Sequence, residues 1–142
     1  MSADQYAGDL TPREAWDLLA ADEHAVLVDV RTDAEWRFVG VPDVSTLGQG
    51  VAFIEWSRYP SGQINADFVA DLARTGLQPG DGRPVVFLCR SGARSRNAAA
   101  AATEAGFGPA FNITEGFEGG VDEHGHRGFE GWRAAGLPWR QP

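Results

Sequence analysis

The stretch Val85–Gly106, VVFLCRSGARSRNAAAAATEAG, constrains the fold more than any other part of the chain. It opens as a short apolar run, Pro84 to Leu88, and closes as an alanine-rich helix stopped by Gly106. An apolar run of this length followed at once by a helix is the βα half of a parallel-sheet unit. Ligands of such sheets bind at the carboxyl ends of the strands. The sole cysteine, Cys89, stands at that point, immediately ahead of Arg90-Ser91-Gly92-Ala93-Arg94.

The chemistry of the stretch follows from that placement. A loop curled around the sulfur turns successive backbone N–H groups inward as an anion nest. A helix starting near Ser95 adds the partial positive charge of its N-terminus, and Arg90 and Arg94 add formal charge. All three favour thiolate over thiol. An unperturbed cysteine has a pKa of about 8.5, and each unit of depression is worth about 1.4 kcal/mol to the anion. Gly92 suits a tight turn where a Cβ would clash. A lone cysteine is more often an inert, buried small hydrophobe. Two arginines and a glycine beside it make a poor core position, because arginine is rarely buried without a partner.

At 142 residues with a formal charge of -8, the chain reads as one domain over residues 1–142 with a sizeable core. The acidic balance argues against nucleic acid or an anionic membrane as partner. One cysteine excludes an internal disulfide and a Cys-rich zinc site. The opening MSADQYAGD lacks the basic and apolar segments of a secretory signal, and no apolar run approaches bilayer-spanning length. A reduced, cytoplasmic compartment fits.

Elsewhere, Thr11-Pro12-Arg13-Glu14 is a capping box with proline at the first helical position. Ala15, Trp16, Leu18 and Leu19 then recur at helical spacing. Ala25–Val30 reads as a buried strand, and Thr32-Asp33-Ala34-Glu35 as a second capping box opening a short helical turn through Trp36 and Phe38, broken at Gly40-Val41-Pro42. Within Val44–Gly62, VST and VAFIEW are short strands, or a strand and an extended loop, before a Tyr59–Gly62 turn. Asn65 is expected to cap a helix through Arg74, with Phe68, Val69 and Leu72 inward and Gly76 as its stop. Ala110–Ile113 reads as a final strand, and Phe129–Ala135 as a last helix after a Gly- and charge-rich loop, Glu115–Gly128. Strands alternating with helices predict an α/β fold, a three-layer α/β/α sandwich around a parallel sheet.

The loop CRSGARS, preceded by PVVFL and followed by an alanine-rich helix, resembles the active-site loop of the rhodanese-like sulfurtransferases. The segment LVDVRTDAEW resembles that family's Asp-x-Arg plus Glu-aromatic signature, and GWRAAGLPW its closing Trp-x-x-x-Gly-x-Pro. The three occur in the family's order and span most of the chain. The resemblance implies a rhodanese-like sheet of about five strands and no cofactor. It implies a transferase in which thiolate Cys89 takes a sulfane sulfur from a small anionic donor, thiosulfate or similar, and passes it as a persulfide to a thiol or cyanide acceptor. The amides of Arg90, Ser91, Gly92, Ala93, Arg94 and Ser95 would hold the persulfide, and Arg90 and Arg94 would attract the donor. Asp29 and Arg31 would brace the loop or shape its entrance, or form an ordinary ion pair. Ser91 stands where a cation would favour thiosulfate, which leaves a mercapto acid, a protein persulfide or glutathione persulfide open as donor.

The chain departs from the family pattern in three places. Gly40-Val41-Pro42 lacks the histidine that many relatives carry. Phe117 follows Gly116 where a second glycine is common, and about a dozen extra residues precede the last helix. Trp56 and Tyr59 of an unusually aromatic segment, Phe53–Tyr59, either fill core or wall the pocket. His124 and His126 have no matching cysteine or third histidine nearby and read as a polar surface loop, not a metal site. A cysteine phosphatase or arsenate reductase needs Cys-x5-Arg, whereas Cys89 to Arg94 is Cys-x4-Arg. The other rival function is a persulfide relay or interaction module with low turnover on small donors.

Overall fold

The computed structural model describes residues 5–142. In chain order it runs β1 (Gly8–Leu10), α1 (Pro12–Ala21), β2 (Val26–Asp29), α2 (Asp33–Phe38), β3 (Val41–Pro42), a 3-10 turn at Ser45–Leu47 and β4 (Val51–Phe53). There follow α3 (Phe68–Arg74), β5 (Val85–Leu88), α4 (Ala93–Glu104), β6 (Ala110–Ile113) and β7 (Trp139–Arg140). Five strands form one parallel sheet in the order β1-β6-β5-β2-β4, with β5 at its centre. Helices flank it, as the sequence predicts.

Side-chain alternation along β5 assigns its residues to two cores. Val85 and Phe87 pack with Phe68 and Leu72 of α3 and with Ala98, Ala99 and Ala102 of α4. Val86 and Leu88 pack on the other face with Ala15 and Leu19 of α1 and with Phe117, Trp132 and Leu137. All four β5 side chains are 0% exposed, as a strand covered on both faces requires. Cys89 continues the parity of Phe87 and joins the core beneath α4. The alanines of α4 let that helix lie close on β5 and β6, so its N-terminus arrives beside the end of the central strand.

Both capping boxes form. Thr11 accepts from the Glu14 amide and Thr32 from the Glu35 amide, and each glutamate returns a bond to its cap's N–H.

Several expectations are corrected. Helix α4 begins at Ala93 rather than near Ser95, because Gly92 at φ +112 turns the chain directly into it. Asn65 does not cap α3. Its Oδ1 accepts from the Asp67 amide and its Nδ2 donates to the Glu55 carbonyl, a turn that delays the helix to Phe68. Val69 is 41% exposed, while Phe68 and Leu72 are buried as expected. Val44–Gly62 resolves into the 3-10 turn, β4 and an extended loop closed by a Ser57–Ile64 bridge. Phe129–Ala135 is a series of turns rather than a helix, with a single α-type bond from the Ala135 amide to Gly131 O.

Two pairings carry no strong local signal. Residues 8–10 add an edge strand beside β6, and β3 pairs antiparallel with β7, Val41 opposite Arg140. Among the described residues no helix is long and apolar enough to cross a membrane.

The irregular C-terminal segment is core. Trp132 is 0% exposed, donates from Nε1 to Pro138 O at 2.7 Å and meets Trp16 edge-on at 6.0 Å. Trp132→Ala is expected to lower stability by about 3–5 kcal/mol in a urea titration. A loss below about 1 kcal/mol would show the segment to be a surface flap.

Candidate active site

Strand β5 delivers Cys89 to the carboxyl edge of the sheet, where it is 1% exposed. Its Sγ lies 3.1 Å from the Gly92 amide, which donates to it, and 3.2 Å from Ser95 Oγ. Gly92 is the N-cap of α4 and no side chain caps that helix, so the first-turn amides of Ala93, Arg94 and Ser95 face the loop end without a side-chain acceptor. The ring of amides expected from Arg90 to Ser95 is thus represented at the sulfur by one N–H and one hydroxyl. Ser91 is half-buried and Ala93 is exposed.

The curve of the loop is enforced from the next segment of main chain. Phe117 N donates to Cys89 O at 2.8 Å, and the amides of Glu118 and Gly119 both donate to Arg90 O, at 3.0 and 3.2 Å. Two glycines permit the approach. A Cβ on Gly92 would stand 2.4 Å from Thr114 O, and one on Gly116 would stand 2.5 Å from Arg90 O. Both also hold positive φ, which a side chain disfavours.

The two loop arginines differ. Arg94 forms a bidentate pair with Glu35 of α2, Nη1 to Oε1 at 2.6 Å and Nη2 to Oε2 at 2.9 Å. Glu35 is the same residue that closes the Thr32 capping box, so one carboxylate ties α2, its cap and α4 together. Burial pushes the Glu35 carboxyl up, but the bonds and charge of Arg94, with the Thr32 amide and hydroxyl, outweigh it and hold it below its ordinary value. Arg90 is half exposed, with Nε 3.4 Å from Glu118 Oε2.

Asp29 and Arg31 are both fully buried. Arg31 reaches Asp29 through Nη2 at 2.6 Å and Nε at 3.0 Å, and Nη2 also donates to Gly40 O at 2.8 Å. The guanidinium carbon lies 4.3 Å from the centre of the Phe117 ring. Phe117 therefore occupies its position as a prop, sandwiched on the buried arginine while its amide holds the Cys89 carbonyl. Neither Asp29 nor Arg31 lines the adjoining cavity.

That cavity, about 500 Å³, is lined by Glu35, Phe38, Tyr59, Arg90, Arg94 and Glu118 among others. Cys89 itself lies outside the lining, immediately ahead of Arg90 in sequence. Phe38 and Tyr59 are 80% and 72% exposed and form an aromatic rim. The two readings of the aromatic segment thus divide. Tyr59 walls the cavity, and the half-buried Trp56 packs against the core, edge-on to Phe68 at 5.0 Å. Sequence reasoning missed Phe38 as a rim residue, Glu118 as the partner of Arg90 and Asn112, which accepts from Ser95. The amphipathic mismatch of an exposed phenylalanine at the end of α2 was the available signal for the first. His124 and His126 are exposed, and their amides bind Asp122 Oδ1.

Two outcomes are expected. Gly92→Ala should cost about 1–3 kcal/mol of stability in chemical denaturation, from strain at a positive φ with no space for a Cβ; an unchanged midpoint would remove Gly92 from the loop's architecture. The Glu35 pair contributes stability above the ordinary carboxylate value of 4.5 and loses it as pH falls through the depressed native value. Wild type should therefore lose more stability than Glu35→Gln on acidification below that pH; parallel pH profiles would refute the coupling.

Comparison with known proteins agrees with this architecture. A family model described as the STR4 middle domain matches residues 8–142. The chain is 32% identical over 130 residues to the thiosulfate sulfurtransferase GlpE of Actinobacillus succinogenes, covering 92% of this chain and 87% of that protein. The crystal structure of Rv0390 from M. tuberculosis superposes with a TM-score of 0.88 at 56% identity, covering 97% of this chain and 100% of that one. The polysulfide-sulfur transferase homodimer of Wolinella succinogenes superposes with a TM-score of 0.63 at 27% identity, covering 99% and 81%. By sequence, sheet order and loop, the chain belongs to the rhodanese-like sulfurtransferase family.

Proposed function

We propose that this protein is a sulfurtransferase carrying a sulfane sulfur on Cys89, with thiosulfate or a similar anion as donor. The observation that carries the reading is the convergence of the Gly92 amide and the Ser95 hydroxyl on the sulfur of the sole cysteine, at the uncapped N-terminus of a 12-residue helix. Cys89 thiolate attacks the outer sulfur of the donor. The new S–S bond forms as the donor's own S–S bond breaks, and sulfite leaves with the electron pair. The resulting persulfide keeps one negative charge, now on the terminal sulfur. The uncapped amides of Ala93, Arg94 and Ser95 and the helix dipole favour that charge. A thiol or cyanide then takes the terminal sulfur and restores the thiolate.

The supporting residues divide the labour. With Arg94 committed to Glu35, the half-exposed Arg90 is the cation offered to an incoming anion. Ser91 and Ala93 contribute main chain to the loop, and Asp29 and Arg31 brace it through Phe117. The committed guanidinium also weighs against a phosphatase, whose arginine must clamp two oxygens of a tetrahedral anion. No cofactor is required, and a reduced, cytoplasmic compartment would preserve the thiol.

One observation favours a second reading. The cavity of about 500 Å³ with its aromatic rim exceeds what a small inorganic anion fills, which suits a larger persulfide, on glutathione or a protein, and a relay with low turnover on small donors.

Intact mass spectrometry after thiosulfate treatment should show a gain of one sulfur, removed by cyanide and absent in Cys89→Ser. A gain that survives in Cys89→Ser, or no gain from thiosulfate, polysulfide or glutathione persulfide alike, would overturn sulfur transfer. Loading by glutathione persulfide but not thiosulfate would select the relay.

A further inference from the structure

Behind the sulfur a line of hydrogen bonds crosses the sheet to its edge. Ser95 Oγ, 3.2 Å from Cys89 Sγ, donates to Asn112 Oδ1 of β6 at 2.5 Å. Asn112 Nδ2 donates to Asp9 Oδ1 of β1 at 3.1 Å, and Tyr6 donates its hydroxyl to the same oxygen at 2.8 Å. Cys89, Ser95 and Asn112 are 1%, 0% and 3% exposed, so water does not compete for the bonds among them, whereas Asp9 lies on the exposed edge.

The direction of each bond is dictated by chemistry. An ionised Asp9 carboxylate only accepts, so it draws the NH2 end of the Asn112 amide and leaves Oδ1 facing Ser95. Burial first, and then the Asp9 carboxylate, hold the Tyr6 phenol above its ordinary value, which keeps it a donor. Oδ1 likewise only accepts, so the single hydroxyl proton of Ser95 is spent on it. Toward Cys89, Ser95 then offers a lone pair, which suits an S–H donor and not a thiolate.

We infer that Asn112 and Asp9 are positioning residues that set the direction of the Ser95 hydroxyl and so oppose ionisation of Cys89 in the resting protein. Ser95 is a two-position switch. It accepts from the thiol, and once the proton has left to water it turns to donate to the anionic sulfur, giving up Asn112. The inference rests on Cys89 as the sulfur carrier only for its purpose; the thiol's ionisation can be read without any transfer.

Other charges around this end of the sheet are Asp29, the last residue of β2, with Arg31, Glu35 of α2 with Arg94 of α4, Arg90 with Glu118, and Arg96 of α4, whose charge reaches Tyr6. A near-isosteric Asn112→Leu leaves them all in place and removes the acceptor, freeing the hydroxyl for the sulfur. The thiolate's ultraviolet absorbance, titrated against pH with Cys89→Ser subtracted, reads this directly because the chain has one cysteine. Asn112→Leu should move the midpoint down by about half to one pH unit, the size of one net hydrogen bond. In a Ser95→Ala background the same substitution should move it by less than a third as much. No shift, an upward shift, or an equal shift in both backgrounds would overturn the inference.

Should Asn112→Leu fail to fold, Asp9→Lys on the exposed edge serves. Lysine only donates, so it turns the amide over and reverses the Ser95 proton. The direct effect of its charge persists in Ser95→Ala and cancels in the comparison, so the excess downward shift in the Ser95 protein is the expected result and its absence is again fatal.

Discussion

The structure of the site depends on two strands of main chain lying against each other with no side chains between them. The segment from Ile113 to Gly119 lies so close to the Cys89–Gly92 loop that Gly92 and Gly116 each meet an opposing backbone atom where a Cβ would be. Three amides of that segment bind the carbonyls of Cys89 and Arg90. With those carbonyls turned outward and occupied, the Gly92 N–H is left to face the sulfur. The polarity of the cup is therefore a consequence of where the carbonyls go, and the same contact explains why Gly116 matters as much as Gly92. A buried ion pair, Asp29 with Arg31, stands behind it. Breaking such a pair leaves an uncompensated buried charge, so Phe117 rests on a fixed support.

What was legible in the sequence was whatever rests on short-range physics. The apolar run into an alanine-rich helix, the two capping boxes and the alternation of strands with helices each reflect residues within a turn or two of one another, and each forms. What was not legible rests on distant partners. Strand β1 is three residues long and exists because the β6 edge accepts it. The β3–β7 pair joins Val41 to Arg140, with only GWRAAGLPW to signal that the tail returns. The tail is expected to hold a last helix over Phe129–Ala135, and it does not. Gly131 and Gly136, both at positive φ, break it into turns that bury the tryptophan by another route. An asparagine ahead of an apolar stretch resembles a cap whether it serves the helix or, as Asn65 does, the turn before it.

At the site the sulfur and its loop were legible, and the partners of the arginines were not. Arg94 and Glu35 stand 59 positions apart, and nothing local in either segment announces the pair. In the sequence Glu35 reads as part of the Thr32 box, and that role conceals the second one. A carboxylate with two oxygens and about four lone-pair sites can serve a cap and a guanidinium together.

That pairing changes how a small anion would be drawn to the site. The chain carries a formal charge of -8, so at long range it repels anions. The arginines nearest the sulfur do not reverse this, because Glu35 and Glu118 return most of their charge within a few ångströms. Beyond a Debye length of about 8 Å, such pairs act as dipoles of little reach. Capture under the proposed chemistry must then come from groups that act at short range: the half-exposed Arg90, the uncapped amides of α4, the Gly92 N–H and the swing of the Ser95 hydroxyl. Groups of that kind discriminate by where charge sits on the sulfur rather than by how much charge the donor bears. This is the selectivity a site needs if its donors range from a divalent inorganic anion to a persulfide on a larger carrier.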